Sequence, residues 1–192
     1  VLERMGFLQG FTKVAYEAAE FLQGKRDDWG RLTPVDRNFA KQLALRLRGK
    51  VPVIYGTEGL MSVAAYRWKC QFNENSKAPA FSHTLPEMNH NEIVGWHTPD
   101  DFSSKVEVIF LAEEEEGESR VARRVEVTAE ILQDKVGGVT VIHVGGRTRT
   151  DKLFSAIHLG DFVSAYLALL HGVDPTPVES IALLKERMAG ED

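Results

Sequence analysis

A chain of 192 residues, 43% hydrophobic and 27% charged, is long enough to bury a core of its own, and one domain with room for a small extra lobe is expected. A net charge of -5 argues against a nucleic-acid partner, because phosphate binding wants a basic face and none of the Lys/Arg clusters is large. The lone Cys70 precludes an internal disulfide, and with no long apolar run and no basic-then-apolar leader the expectation is a cytoplasmic protein without a membrane partner.

Leu2, Met5, Leu8, Phe11 and Val14, then Ala15, Ala18, Ala19 and Leu22, recur at helical spacing and predict a leading helix over 1–23, interrupted only by Gly6 and Gly10. The pattern starts at Val1 rather than at a Met, as expected for a piece of something longer. Residues 24–33 are polar and predict a loop. Thr33-Pro34 then reads as an N-cap and first helical position, opening a helix whose stripe Val35, Phe39, Leu43, Leu47 stops at Gly49.

Val51 to Gly56 is a short apolar run ending in glycine, and a helix carrying Leu60, Val63, Ala64 and Trp68 starts at Thr57 or Glu58. This is a βα unit, in which ligands meet the carboxyl ends of strands. Gly56 and Thr57 are therefore candidate ligand contacts, although a glycine there also suits a plain turn.

Residues 70–95 hold Glu74, Glu87 and Glu92, His83 and His90, and the amides Gln71, Asn73, Asn75, Asn89 and Asn91, with few residues able to build a core. Such a density of proton-carrying groups suits a polar ligand. Glu74 falls at the end of a helix before Pro79, from which a carboxylate can point into the crevice above the sheet and move a proton on carbon beside a carbonyl. A surface glutamate at a frayed helix end is the simpler account from spacing alone. His90 stands among polar neighbours, and an imidazole side chain can donate to one sugar oxygen and accept from another. Glu87 fits a capping box with Thr84. A metal site from His83, His90 and a glutamate matches no zinc spacing and has no cysteine to support it.

Val106 to Ala112 predicts a buried strand, and Glu113 to Glu116 a solvated segment. A helix over Ser119–Gln133 follows through Val121, Val125, Thr128, Ala129 and Leu132, and after Gly137-Gly138 comes a strand from Val139 to Val144. Thr150 or Asp151 caps a long helix with Leu153, Phe154, Ile157, Phe162, Tyr166 and Leu170 on its core face, ending at Gly172. Asp174-Pro175-Thr176-Pro177 turns the chain into a last helix, Val178 to Met188, with Lys185 on its surface. His143, His158 and His171 read as structural or exposed. The alternation predicts an α/β, three-layer αβα sandwich with a mainly parallel sheet, its core in 34–172 and its closing helix in 173–192. Dinucleotide, nucleotide, hydrolase and Cys-x-x-Cys motifs are absent.

Asn73-Glu74-Asn75-Ser76-Lys77, followed by Pro86-Glu87-Met88-Asn89-His90-Asn91-Glu92-Ile93-Val94-Gly95, resembles the bifunctional phosphoglucose/phosphomannose isomerases, two-domain proteins of the sugar isomerase (SIS) fold. The match continues through Pro52 to Gly56, Arg67-Trp68-Lys69 and Asp174 to Pro177. The resemblance implies a metal-free, cofactor-free aldose-ketose isomerase that interconverts glucose 6-phosphate or mannose 6-phosphate with fructose 6-phosphate through a cis-enediol. It makes Glu74 the proton-transferring base, His90 the ring-opening residue and Lys185 its helper. Gly56, Thr57, Asn91 and Thr176 are the candidate substrate contacts, and Val178 competes with Thr176 for the place of a family threonine.

In the superfamily the histidine reaches the neighbouring subunit's site, so a homodimer is implied. The phosphate-binding loop and enediolate-stabilising arginine of the family lie in an N-terminal SIS domain absent here. The chain therefore resembles the C-terminal half, and alone it is expected to fold without turning over substrate. The competing expectation is a non-catalytic SIS module that binds a sugar phosphate in a regulatory role.

Overall fold

Four short segments of the chain pair into one sheet. In the computed structural model, which describes residues 1–97, 101–114 and 119–190, strands β1 (Val51–Thr57), β2 (Phe81–Leu85), β3 (Val106–Glu113) and β4 (Gly138–Val144) run parallel in the order β2-β1-β3-β4. Val53 stands opposite Phe81 on one side and Val108 on the other, and Val108 opposite Val139. Helix α1 (Phe11–Trp29) and α2 (Phe39–Leu47) precede β1, α3 (Leu60–Asn75) links β1 to β2, and α4 (Glu92–Gly95) lies between β2 and β3. Then α5 (Arg120–Leu132) links β3 to β4, and α6 (Arg149–His171) and α7 (Glu179–Ala189) follow.

Successive residues of a strand face opposite sides, so Ile54 packs with Ile109 and Leu111 under α2, α3 and α6, whereas Val53 and Tyr55 pack with Val108 and Phe110 under α5. Right-handed crossovers explain the division, since the chain leaves β1 towards β2 and β3 towards β4 in opposite directions. The result is a three-layer αβα sandwich on a parallel sheet, as the alternating pattern predicts.

Several boundaries differ from expectation. The leading helix spans Phe11–Trp29 rather than 1–23, because Gly6 and Gly10 adopt positive φ of 80° and 70° and end any helix before it. It also runs through the predicted loop at 24–29. Pro34 precedes only a 3-10 turn, Val35–Arg37, and α2 is capped by Asn38, whose Oδ1 accepts from the Lys41 amide at 3.0 Å. Thr148, not Thr150 or Asp151, caps α6, its Oγ1 accepting from the Asp151 amide at 3.1 Å. The inner face of α6 is Ala156, Leu159, Val163 and Leu167, while Phe154 stands 41% exposed.

The polar centre at 70–95 contains a strand, β2, and supplies Phe72, Leu85 and Met88 to the core. Glu113 ends β3 and pairs with Lys152 at 3.6 Å, so it is not simply solvated; Glu114 is exposed, and Glu115 and Glu116 lie outside the described residues. Contrary to the reading that no apolar run nears the length of a membrane span, α6 is long and apolar enough by length and composition alone. Its buried side packs on α2 and α3.

The buried carboxylate of Glu107 is held by Lys50 Nζ at 2.7 Å and by Thr140 Oγ1 at 2.9 Å. Lys50→Ala strands that charge, whose side chain is 3% exposed, and is expected to cost roughly 2–4 kcal/mol in chemical denaturation, at the lower side because Lys50 itself is 27% exposed. An unchanged midpoint would show that Thr140 alone suffices.

Candidate active site

The sixteen residues of α3 rise about 24 Å from the carboxyl end of β1, so Glu74 in the last turn lies at the opposite pole, where β2 begins. That is a correction: the carboxylate does not face the crevice at the carboxyl ends of the strands. Every neighbour of Glu74 in Asn73-Glu74-Asn75-Ser76-Lys77 has a structural partner. Asn73 Oδ1 accepts from the Ala80 amide at 3.2 Å, Asn75 Nδ2 donates to Ser164 Oγ at 2.8 Å, and Ser76 Oγ donates to the Ser164 carbonyl at 2.7 Å. Lys77, at φ 52°, donates to the Pro177 carbonyl at 2.6 Å and the Pro175 carbonyl at 3.3 Å. Glu74 is exposed, as Asn73 and Lys77 are, but its carboxylate alone in this run makes no hydrogen bond or ion pair among the described residues. It lines a cleft of about 690 Å³ with Lys77, Val173, Asp174, Val178 and Ile181.

His90 ends the 3-10 turn Glu87–His90 that follows β2. Its neighbours are likewise fastened. Met88 is fully buried, Asn89 Nδ2 donates to Thr128 Oγ1 at 3.0 Å, and Arg124 Nη1 reaches Asn89 Oδ1 at 3.5 Å. Asn91 Oδ1 accepts from the Glu92 amide at 2.6 Å while its Nδ2 donates to Glu87 Oε1 at 3.0 Å. The expected capping box therefore fails: Thr84 belongs to β2, and Glu87 holds a side-chain amide instead of a helix-start N–H. The imidazole of His90 is exposed and has no partner among the described residues.

Glu74 and His90 do not meet within one protomer. Helix α3 belongs to the layer of α2 and α6, whereas Met88 and the turn pack in the layer of α5. The sheet stands between them, and with about 10 Å per packed layer the separation is on the order of 20 Å.

Lys185 lies one helical turn beyond Ile181 on α7, hence on the side of α7 that meets the cleft of Glu74, and it too is exposed without a partner among the described residues. Thr176 does not line that cleft; its amide donates to Asp174 Oδ1 at 2.9 Å. Hydrogen bonds from Thr176, then the charge of Lys77, hold the Asp174 carboxyl below its ordinary value. Val178 does line the cleft.

Gly56 is buried in β1, where a Cβ would sit 2.1 Å from the Met61 carbonyl oxygen, so the glycine serves the close approach of α3. Thr57 lines a separate cleft of about 350 Å³ with Glu58, Glu113, Arg120 and Arg124, at the far end of α3 from Glu74. Gly56 and Thr57 thus stand apart from Glu74.

One group escaped the sequence reading. Tyr55 Oη, buried in β1, donates to Glu92 Oε2 at 2.8 Å and accepts from Trp96 Nε1 at 3.0 Å. Burial first, and Glu92 after it, push the phenol well above its ordinary range, so it stays a donor. His83 Nδ1 is 3.6 Å from the same carboxylate. Tyr55 sits in an apolar run and Glu92 among many polar residues, and no local spacing links them.

The family model for the bacterial phospho-glucose isomerase C-terminal SIS domain matches residues 36–188. The chain is 39% identical over 186 residues to a bifunctional phosphoglucose/phosphomannose isomerase of Caldicellulosiruptor bescii, covering 97% of this chain and 55% of that protein. It is 42% identical over 149 residues to the protein of the same name from Aquifex aeolicus, covering 77% of this chain and 45% of that one. The chain spans about half the length of these relatives. A glucose-6-phosphate isomerase like protein from Thermus thermophilus shares the fold, with a TM-score of 0.74 at 23% identity over 88% of this chain and 56% of that one.

Proposed function

The chain belongs to the family of bacterial phospho-glucose isomerase C-terminal SIS domains, and from that membership we propose that it forms the C-terminal half of a sugar-phosphate aldose-ketose isomerase acting on glucose 6-phosphate, mannose 6-phosphate or both. Glu74 takes the proton from the carbon beside the carbonyl and returns it to the neighbouring carbon by way of a cis-enediol. The observation that carries this reading is the carboxylate of Glu74, left without a partner at the rim of a 690 Å³ cleft by a motif whose other members are all occupied. A base needs that freedom, since a carboxylate already satisfied by donors accepts a proton poorly.

His90 opens the sugar ring in the site of a second copy, because the sheet keeps it from its own Glu74. Lys185, on the cleft side of α7, assists ring opening, and Val178 rather than Thr176 is the residue of that segment on the cleft wall. Asn91 supports the His90 turn instead of reaching substrate. A second SIS domain in a longer polypeptide contributes the phosphate-binding loop and the arginine that stabilises the enediolate. The exposed apolar side chains of α7, Ile181 at 43%, Leu184 at 58% and Met188 at 70%, support a role for this helix as a surface that the fuller protein covers.

In the two-domain polypeptide, His90→Ala is expected to slow turnover of the ring-closed sugar phosphate by roughly a hundredfold or more and to change turnover of an open-chain substrate by no more than a few fold. Equal losses on the two substrates would remove ring opening from His90.

A further inference from the structure

The 3-10 turn that ends in His90 spans four residues and α4 spans four more, and segments this short do not hold a shape unaided. Their geometry comes from side chains that tie them to the layers beneath. Met88 plugs into the core, and Asn89 ties the turn to α5 through Thr128 and, at 3.5 Å, Arg124. A further tie reaches the sheet itself. Glu92, two residues beyond His90, accepts a charge-assisted hydrogen bond from the Tyr55 hydroxyl, and Tyr55 is a fully buried residue in the middle of a central strand.

The direction of that bond is fixed. Trp96 Nε1 can only donate, and it occupies an acceptor position on Tyr55 Oη, leaving the single hydroxyl proton for Glu92. Trp96 follows α4 directly, so the two ends of α4 close on one buried hydroxyl. Glu92 is thus the point where the His90 segment meets the rigid sheet.

We propose that Glu92 is a positioning residue for His90, with the Trp96–Tyr55–Glu92 chain of hydrogen bonds fixing where the imidazole is presented. This rests on the ring-opening role given to His90 above. Without the carboxylate the Tyr55 hydroxyl loses its acceptor in a buried place, and the segment carrying His90 must shift to satisfy it. A displacement of about 1 Å at a reacting group is enough to cost on the order of a hundredfold in rate.

The test uses the two-domain polypeptide with Glu92→Ala, Glu92→Gln, Tyr55→Phe, His90→Ala and the double variant Glu92→Ala/His90→Ala, each assayed on ring-closed and open-chain sugar phosphate. Glu92→Ala is expected to lower kcat on the ring-closed substrate roughly tenfold to a hundredfold, with KM and open-chain turnover little changed. Glu92→Gln keeps an acceptor for Tyr55 and restores kcat to within a few fold of the parent, while Tyr55→Phe, which keeps the packing, follows Glu92→Ala. The double variant is no slower than His90→Ala alone, as expected when one residue acts through the other.

Multiplying losses in the double variant, equal losses on both substrates, or a Glu92→Gln as slow as Glu92→Ala would each overturn the positioning role. A slow His90→Ala beside a normal Glu92→Ala overturns it while leaving the ring-opening reading intact. A normal His90→Ala overturns both. Independently of activity, 15N relaxation of the 192-residue chain is expected to show lower order at 88–92 in Glu92→Ala and an unchanged sheet, and unchanged order at 88–92 counts against the inference.

Discussion

Replacing Glu74 by glutamine in the two-domain polypeptide is expected to slow exchange of the substrate C2 proton with solvent by roughly a hundredfold to ten-thousandfold, the usual contribution of a positioned general base. Binding of the sugar phosphate should stay within a few fold of the parent. The reasoning is local. Glutamine keeps the volume and the polar character of the cleft wall but cannot carry the proton between carbons. The fold has no stake in the carboxylate, because Asn73, Asn75, Ser76 and Lys77 hold the end of α3 through bonds of their own. Stability is therefore expected to move by less than about 0.5 kcal/mol, as for an exposed position without a partner. Exchange at the parental rate would take Glu74 out of the chemistry and with it the observation on which the proposed function rests.

Lys50→Ala contrasts with this variant. There the carboxylate of Glu107 is buried and shared by two donors, so loss of the lysine falls on stability and not on a site. The two glutamates differ in what surrounds them, and the partners of their neighbours separate a structural carboxylate from a free one.

Three of the four strands were readable: β1 and β3 because strands buried on both faces are apolar runs, as in Val106 to Ala112, and the edge strand β4 because Val139, Val141, Ile142 and Val144 still make an apolar stretch after Gly137-Gly138. The fourth was not. β2 is an edge strand in which Phe81 is 55% exposed and Ser82, His83 and Thr84 are half-buried, so it shows neither a run nor a clean alternation, and its residues read as a polar centre. Helix starts failed where several capping residues stand close together: in Thr148-Arg149-Thr150-Asp151 only the geometry picks Thr148. The leading helix failed because an apolar period says nothing of the φ angles at Gly6 and Gly10.

For the site, Glu74 and His90 were legible as a motif pair, and their relation in space was not. Sixteen positions of separation are compatible with one pocket or with opposite layers. What decides is that α3 crosses on one face of the sheet and that the chain returns from β2 along the other, a property of strand order and not of any residue between 74 and 90. The same geometry moved Glu74 away from the carboxyl ends of the strands. A helix as long as α3 delivers its last turn to the opposite pole, which the βα reading of Gly56 and Thr57 left out.

The central claim is that one site is built from Glu74 of one copy and His90 of another. A mixture of two disabled variants tests it most directly. Glu74→Gln retains its histidine, and His90→Ala retains its glutamate; each alone has only defective sites. When the two-domain forms are unfolded, mixed in equal amounts and refolded, random pairing makes half of the dimers mixed, and in each mixed dimer one of two sites combines an intact glutamate with an intact histidine. About a quarter of the parental activity on ring-closed substrate should then return. A mixture no more active than the average of its two components would place both residues in the same protomer's site, or in no common site, and would contradict the account.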